Sequence, residues 1–238
     1  MTQTTIDPRL GALLDAAVLH VPFDGWSDVT FDAAIADCGI SASEAKDIAP
    51  RGAIDLAAAY HRRGDAAMVA ALDSTDLSEL RYSDRVSLAV RLRLRDADRE
   101  VVRRGSSLFA LPLHAAEGAA LIWGTADAIW TALGDTSRDG NWYSKRAILS
   151  GVYGSVVLFW LGDQSGGADT DAFIERRIGD VMRFEKLKSD ARKSPLFGPV
   201  ARGLGRVMGS IRAPAARAGA DDLPGTWTLD TDTKGAAK

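Results

Sequence analysis

Apolar side chains recur along this chain mostly at intervals of three and four, the spacing of one helix face. Leu10, Leu13, Leu14, Ala17 and Val18 predict a helix over Leu10–Leu19, which Pro22 and Gly25 of VPFDGW should stop. Thr30 or Asp28 can cap a short helix ending at Gly39. Ser41, with Glu44 three positions on, makes the capping box of a second. Pro50 and Gly52 then punctuate before a third, Ala53–Arg63. Short helix, glycine turn, short helix is the spacing of a helix-turn-helix unit.

The second half continues the pattern. From Ser83, SDRVSLAVRLRLRDADREVVRRG opens with a Ser-Asp cap. Its VRLRLR alternates and admits a strand, but length and flanking helices favour helix. Ala119, Ile122, Trp123, Ala126, Ile129, Trp130 and Leu133 form one apolar stripe, and DGNWYSKRAILSGVYGSVVLFWLGD is helical to about Leu161. GDQSGGAD reads as a loop, after which Asp169 or Thr170 starts a helix carrying Phe173, Ile174, Ile178, Val181, Met182 and Phe184. With no sustained strand pattern and no repeat, the fold class is all-α. The expected division is a helix-turn-helix-like subdomain over 1–75 and a larger helical domain over 76–190. A basic amphipathic element over 191–213 and a disordered polar tail over 214–238 follow.

Composition narrows this modestly. The 238 residues are 46% hydrophobic and 26% charged, as in a folded globular protein, and the net charge of -3 argues against a partner bound through phosphate neutralisation. The single cysteine, Cys38, excludes an internal disulfide and fits a reducing compartment. The longest uncharged stretch, Ala147–Gly162, is shorter than the roughly 20 residues that span a bilayer. The N-terminus has neither a secretory signal nor an Arg-rich transit pattern, so a cytoplasmic location is the expectation.

Catalytic chemistry finds little footing. His114 and Glu117 could share a metal, but a di-iron bundle needs two such pairs and two further carboxylates, so surface or capping roles are preferred and no metal is assigned. GLGRVMG, residues 203–209, follows no strand and opens no βαβ unit. The chain is read as non-enzymatic, with no catalytic residue. DNA reading fares no better: SASEAKDI sets one cation against two acids where a recognition helix needs cations, so no nucleic-acid partner is expected.

Two features ask for apolar partners. VVLFWL is apolar all round, so it is either enclosed by protein on every side or lines a cavity. Gly118, Gly124, Ser150, Gly151, Gly154 and Ser155 are interspersed with its large neighbours. Either close helix contact or a bound apolar molecule accounts for that mixture. Trp123, Ile129, Trp130, Tyr153, Val157 and Trp160 are the candidate lipid-lining residues. Ala191–Ala220 holds six Arg or Lys and no acid. Within it Leu196, Phe197, Val200, Leu204, Val207, Met208 and Ile211 share about a third of a helical circle, with Arg202 and Arg206 opposite. These nine are the candidate membrane contacts; an anionic bilayer is favoured over docking on the protein's own body.

Trp142 and Tyr143 diverge by about 100° on a helix, so both cannot point inward. With Asn141 as helix cap and Lys145 and Arg146 beside them, they read as a protein-binding patch. GDTSRDGNWYSKRAILSGVYGSVVLFWLGDQS, followed by DTDAFIERRIGDVM, resembles the ubiquinone-biosynthesis accessory proteins of the COQ nine (COQ9) family over roughly Ser83–Leu187. The N-terminal pattern is similar to the same proteins and to TetR-type repressors. The resemblance implies a TetR-like, non-enzymatic homodimer whose cargo is an isoprenoid or phospholipid, with no other cofactor. It implies a C-terminal amphipathic helix on the membrane and presentation of an isoprenoid quinone intermediate to a di-iron demethoxyubiquinone hydroxylase. Asp139, Asn141, Trp142, Tyr143 and Arg146 are carried over as the patch that touches the hydroxylase. The chain then reads as bacterial and peripheral on the cytoplasmic membrane. The alternative is a TetR-type transcriptional regulator with an apolar effector.

Overall fold

The structure, a computed structural model, describes residues 7–137 and 140–193, with side chains over 141–183 of the second stretch. The basic segment and tail, including all nine candidate membrane contacts from Leu196 to Ile211, lie outside the described residues. So does Asp139.

Among the described residues every regular element is a helix: α1 (Pro8–Asp24), α2 (Asp28–Cys38), α3 (Ala42–Ile48), α4 (Ala53–Asp73), α5 (Tyr82–Arg95), α6 (Arg99–Phe109), α7 (Ala115–Ala132), α8 (Gly140–Gly162) and α9 (Ala168–Lys193). None is long and apolar enough to cross a membrane. The all-α expectation holds.

Local chemistry sets the boundaries. The α1 helix runs through Pro22, where a stop was expected. Near the C-terminus proline forfeits only one intrahelical bond, Val21 beside it is fully buried, and Gly25, at φ +67°, ends the turn instead. Ser27, not Thr30 or Asp28, caps α2, its Oγ accepting from the Thr30 N–H, and Gly39 closes α2 in the left-handed region. Ser41 caps α3 as expected, accepting from the Glu44 N–H at 3.1 Å. The Ser83 segment is helical but broken. Asp98 accepts from the N–H groups of Glu100 and Val101, both at 2.9 Å, and so starts α6 separately from α5. Asn141 is no cap, since α8 already begins at Gly140.

Two cores result. The first gathers Leu13, Leu14, Val21, Phe31 and Leu56 from α1, α2 and α4, and α6 adds Val101. The second gathers Met68 and Leu72 of α4 with Val90, Ile129, Val156, Trp160 and Ile174. The expected division at 75 therefore does not separate them: α4 belongs to both, and α6 returns to α1, where the Trp26 indole N–H donates to the Val101 carbonyl. The α8 helix buries Leu149, Tyr153, Val156 and Trp160 yet leaves Ala147, Gly151, Leu158 and Gly162 exposed. Enclosure on every side is not what this single chain provides, and small residues keep the open face narrow.

Candidate functional site

A cavity of about 390 Å³ lies between α4, α5, α6, α7 and α8, with Trp26 and Ala57 contributing from the side of the first core. Its walls are mostly apolar: Leu94, Val101, Phe109, Leu121, Ile122 and Val157. Glycines make the space. A Cβ at Gly118 would stand 2.8 Å from the Phe109 side chain, so α6 and α7 approach each other here only because Gly118 has none. Leu158 lines the cavity and is 70% exposed, which puts it at the mouth. Leu111 and Leu113, in the loop that follows α6, are exposed too.

One part of the wall is polar. Arg93 is buried, its Nε donating to Asp65 Oδ1 at 2.7 Å and its Nη2 to the His61 carbonyl at 2.9 Å. Thr125 donates to the same Asp65 oxygen at 2.9 Å, and His61 Nε2 lies 2.8 Å from the Thr125 hydroxyl. Burial drives the His61 pKa down to about 4, against the opposing pull of Asp65, so the imidazole is neutral at neutral pH. The Arg93 guanidinium lies 6.0 Å from the centre of the Tyr153 ring. Gly64 makes room for this arginine, since a Cβ there would fall 2.5 Å from its Nη1.

The aromatic patch is built on a second buried arginine. Trp142 and Tyr143 meet edge to face at 4.8 Å, and Trp123 of α7 tilts against both, at 6.0 and 6.5 Å. All three are half-buried. Arg146 lies 4.0 Å from the Trp142 ring centre but is itself only 2% exposed. Its Nε donates to Asp127 at 2.5 Å and its Nη1 to Asp135 at 3.2 Å, and Lys145 also reaches Asp135, at 2.6 Å. Burial acts to raise the Asp135 pKa, but the bonds from Lys145, Ser137 and Arg146 outweigh it and bring it to about 2. Arg146 therefore corrects the expectation of a surface contact: it fixes Trp142 from beneath.

The expected lipid-lining set divides. Tyr153 and Val157 line the large cavity. Ile129 and Trp160 are packed in the second core, the latter under the Arg99 guanidinium. Trp123 belongs to the aromatic patch. Trp130 stacks on Tyr82 and lines a separate cavity of about 250 Å³ between α5, α7, α8 and α9, which Asn141 and Lys145 border. Two of the six thus line the large cavity and four lie elsewhere, because a stripe of apolar positions identifies a buried face without saying what stands opposite. Both oxygens of Glu117 accept from Arg51 at 2.8 Å. Among the described residues no three His, Cys, Asp or Glu are grouped to hold a metal. On α3 the exposed charges are Glu44, Asp47 and Lys46, the last lying 5.0 Å over the Phe31 ring.

The COQ9 family model matches residues 115–185, which run from α7 into α9 and include the aromatic patch. The chain is 26% identical over 191 residues to a probable ubiquinone biosynthesis protein coq9, mitochondrial, of Dictyostelium discoideum, covering 76% of this chain and 62% of that one. It is 28% and 27% identical over 180 residues to the mitochondrial ubiquinone biosynthesis protein COQ9 of Rattus norvegicus and of Homo sapiens, covering 71% of this chain and 57% and 56% of theirs. The match thus spans about six-tenths of the length of these relatives. A TetR transcriptional regulator from Nitrosomonas europaea superposes with a TM-score of 0.60 at 21% identity, over 73% of this chain and 97% of that one. These names overturn the expected location: the relatives are mitochondrial proteins, and the reading of a bacterial chain on a cytoplasmic membrane does not stand. The resemblance read from the sequence holds: the chain is similar to COQ9 proteins, with the family model matching residues 115–185, and its fold is TetR-like.

Proposed function

We propose that the protein is a non-catalytic accessory of ubiquinone biosynthesis that holds an isoprenoid quinone intermediate and presents it to the di-iron hydroxylase acting on demethoxyubiquinone. The observation that carries this reading is the large cavity. At about 390 Å³ it falls in the size range of small-molecule sites, and its mouth is greasy at Leu158. Trp123, Trp142 and Tyr143, half-buried and held by Arg146, are the surface for the hydroxylase. The open face of α8 is covered by a second copy in the homodimer, and the basic segment beyond α9 engages an anionic membrane surface. The repressor reading is disfavoured by α3, whose exposed acids outnumber its cation.

Mass spectrometry of lipid extracted from the natively purified chain tests the central part. A neutral isoprenoid should co-purify with the unaltered protein, and Val157→Trp, which fills the chamber, should lose it. Protein that emerges free of lipid from cells making ubiquinone would sink the proposal.

A further inference from the structure

The inner end of the large cavity carries a polar group that the protein itself leaves unused. Tyr153 lines the cavity and is only 3% exposed, yet its hydroxyl makes no hydrogen bond to any described residue. The hydroxyl is not sealed among protein atoms, so a guest in the cavity can reach it and take its hydrogen bond. Around the phenol the charges cancel. Arg93 is matched by Asp65 at 2.7 Å, His61 is neutral, and Tyr60 accepts from the Asp98 N–H at 3.1 Å. Burial pushes the Tyr153 pKa up to about 12, partly offset by Arg93, so the hydroxyl keeps its proton to donate.

The two ends of the cavity also differ. Leu158 follows Tyr153 by five positions on α8, or ~7.5 Å along the axis, and is 70% exposed. Val157 and Phe109 add apolar wall to the same cavity.

We propose, building on the carrier role above, that the cavity admits an uncharged amphiphile head-first, a carbonyl oxygen of its head accepting from the Tyr153 hydroxyl while its apolar tail leads out past Leu158. A carboxylate or phosphate head is disfavoured, since no unmatched cation awaits it at the inner end. The oxygenated ring or ketone therefore lies inside, and the hydrocarbon chain is the part left at the mouth.

Displacement of the neutral dye Nile red from the full chain at neutral pH tests this, with 2-decanone, decane and decanoate as competitors. Tyr153→Phe removes only an unpartnered hydroxyl, and an unchanged thermal midpoint reports intact folding. It should weaken 2-decanone by roughly 3- to 10-fold while leaving decane unaltered. Decanoate should compete less well than 2-decanone for the unaltered protein. Val157→Trp should weaken all three together, marking the chamber as their site. An undiminished affinity for 2-decanone after Tyr153→Phe overturns the orientation, as does an equal loss for decane. Decanoate as the strongest competitor overturns the preference for a neutral head. In those cases the carrier role survives; if neither dye nor competitor binds the unaltered chain, the carrier role falls and this inference with it.

Discussion

Arg93 on α5 and Arg146 on α8 are both buried, yet they keep different company. Arg93 has one carboxylate, Asp65, and spends its remaining donors on the His61 backbone beside a cavity. Arg146 is set between two, Asp127 and Asp135, and shares the deeper one with Lys145. Near Arg93 the pairing leaves a polar wall of no net charge beside open space. Near Arg146 two cations and two acids are interleaved beneath three aromatic rings, and the product is a braced surface. A buried arginine thus serves a chamber in one place and a contact face in the other, according to how many acids attend it.

Breaking each site should show the difference. Arg146→Met leaves Asp135, 3% exposed, with Lys145 as its sole cation, and should cost about 3–5 kcal/mol in urea unfolding. Arg93→Met should cost less, because Asp65 is more exposed and keeps its bond from Thr125. Equal or reversed losses would break the comparison. A gentler disturbance of the chamber side comes from Gly64→Ala. Its Cβ would strike a guanidinium that cannot retreat without leaving Asp65, for a loss of about 1–3 kcal/mol. If Arg93 is as firmly held as its bonds indicate, the thermal midpoint falls; an unchanged midpoint shows it to be free to move.

Acid sharpens the contrast further. The His61 pKa is depressed in the folded state, so its contribution is complete above about pH 6.5 and is lost as pH falls toward 4. Asp135 is also depressed, from 3.8 to about 2, so its contribution is lost only below that window, as pH falls from near 4 toward 2. His61→Gln should therefore flatten the stability profile in the upper window, by about 1 kcal/mol near pH 5.5. The lower limb should stay as it was. A profile of unchanged slope between pH 6.5 and 5 would show that His61 is not held neutral.

The fold was largely legible because its helices carry apolar residues at three- and four-residue spacing, and because Ser41 and Gly39 punctuate where their chemistry suits them. Both arginines left a signal that was there to be read. Arg93 shares a stripe with Val86, Ala89, Val90 and Leu94, and Arg146 shares one with Leu149, Tyr153, Val156 and Trp160. A cation on an apolar stripe announces a buried ion pair. Its partner is another matter. Asp65 stands 28 residues from Arg93, and Asp127 stands 19 from Arg146, separations that only tertiary packing closes. The same limit hid what Trp123 and Trp130 meet. Both point off one face of α7, but one meets Trp142 and the other meets Tyr82. The end of α1 was misread because the burial of Val21 outweighed the proline's missing donor.

The α4 helix runs as one rod of 21 residues from Ala53 and Leu56 in the first core to Met68 and Leu72 in the second. Loosening at either end withdraws a wall from the other, so the halves are expected to melt in a single cooperative step. A cut after residue 75 would free neither half, since the first needs Val101 from beyond it and the second needs Met68 from before it.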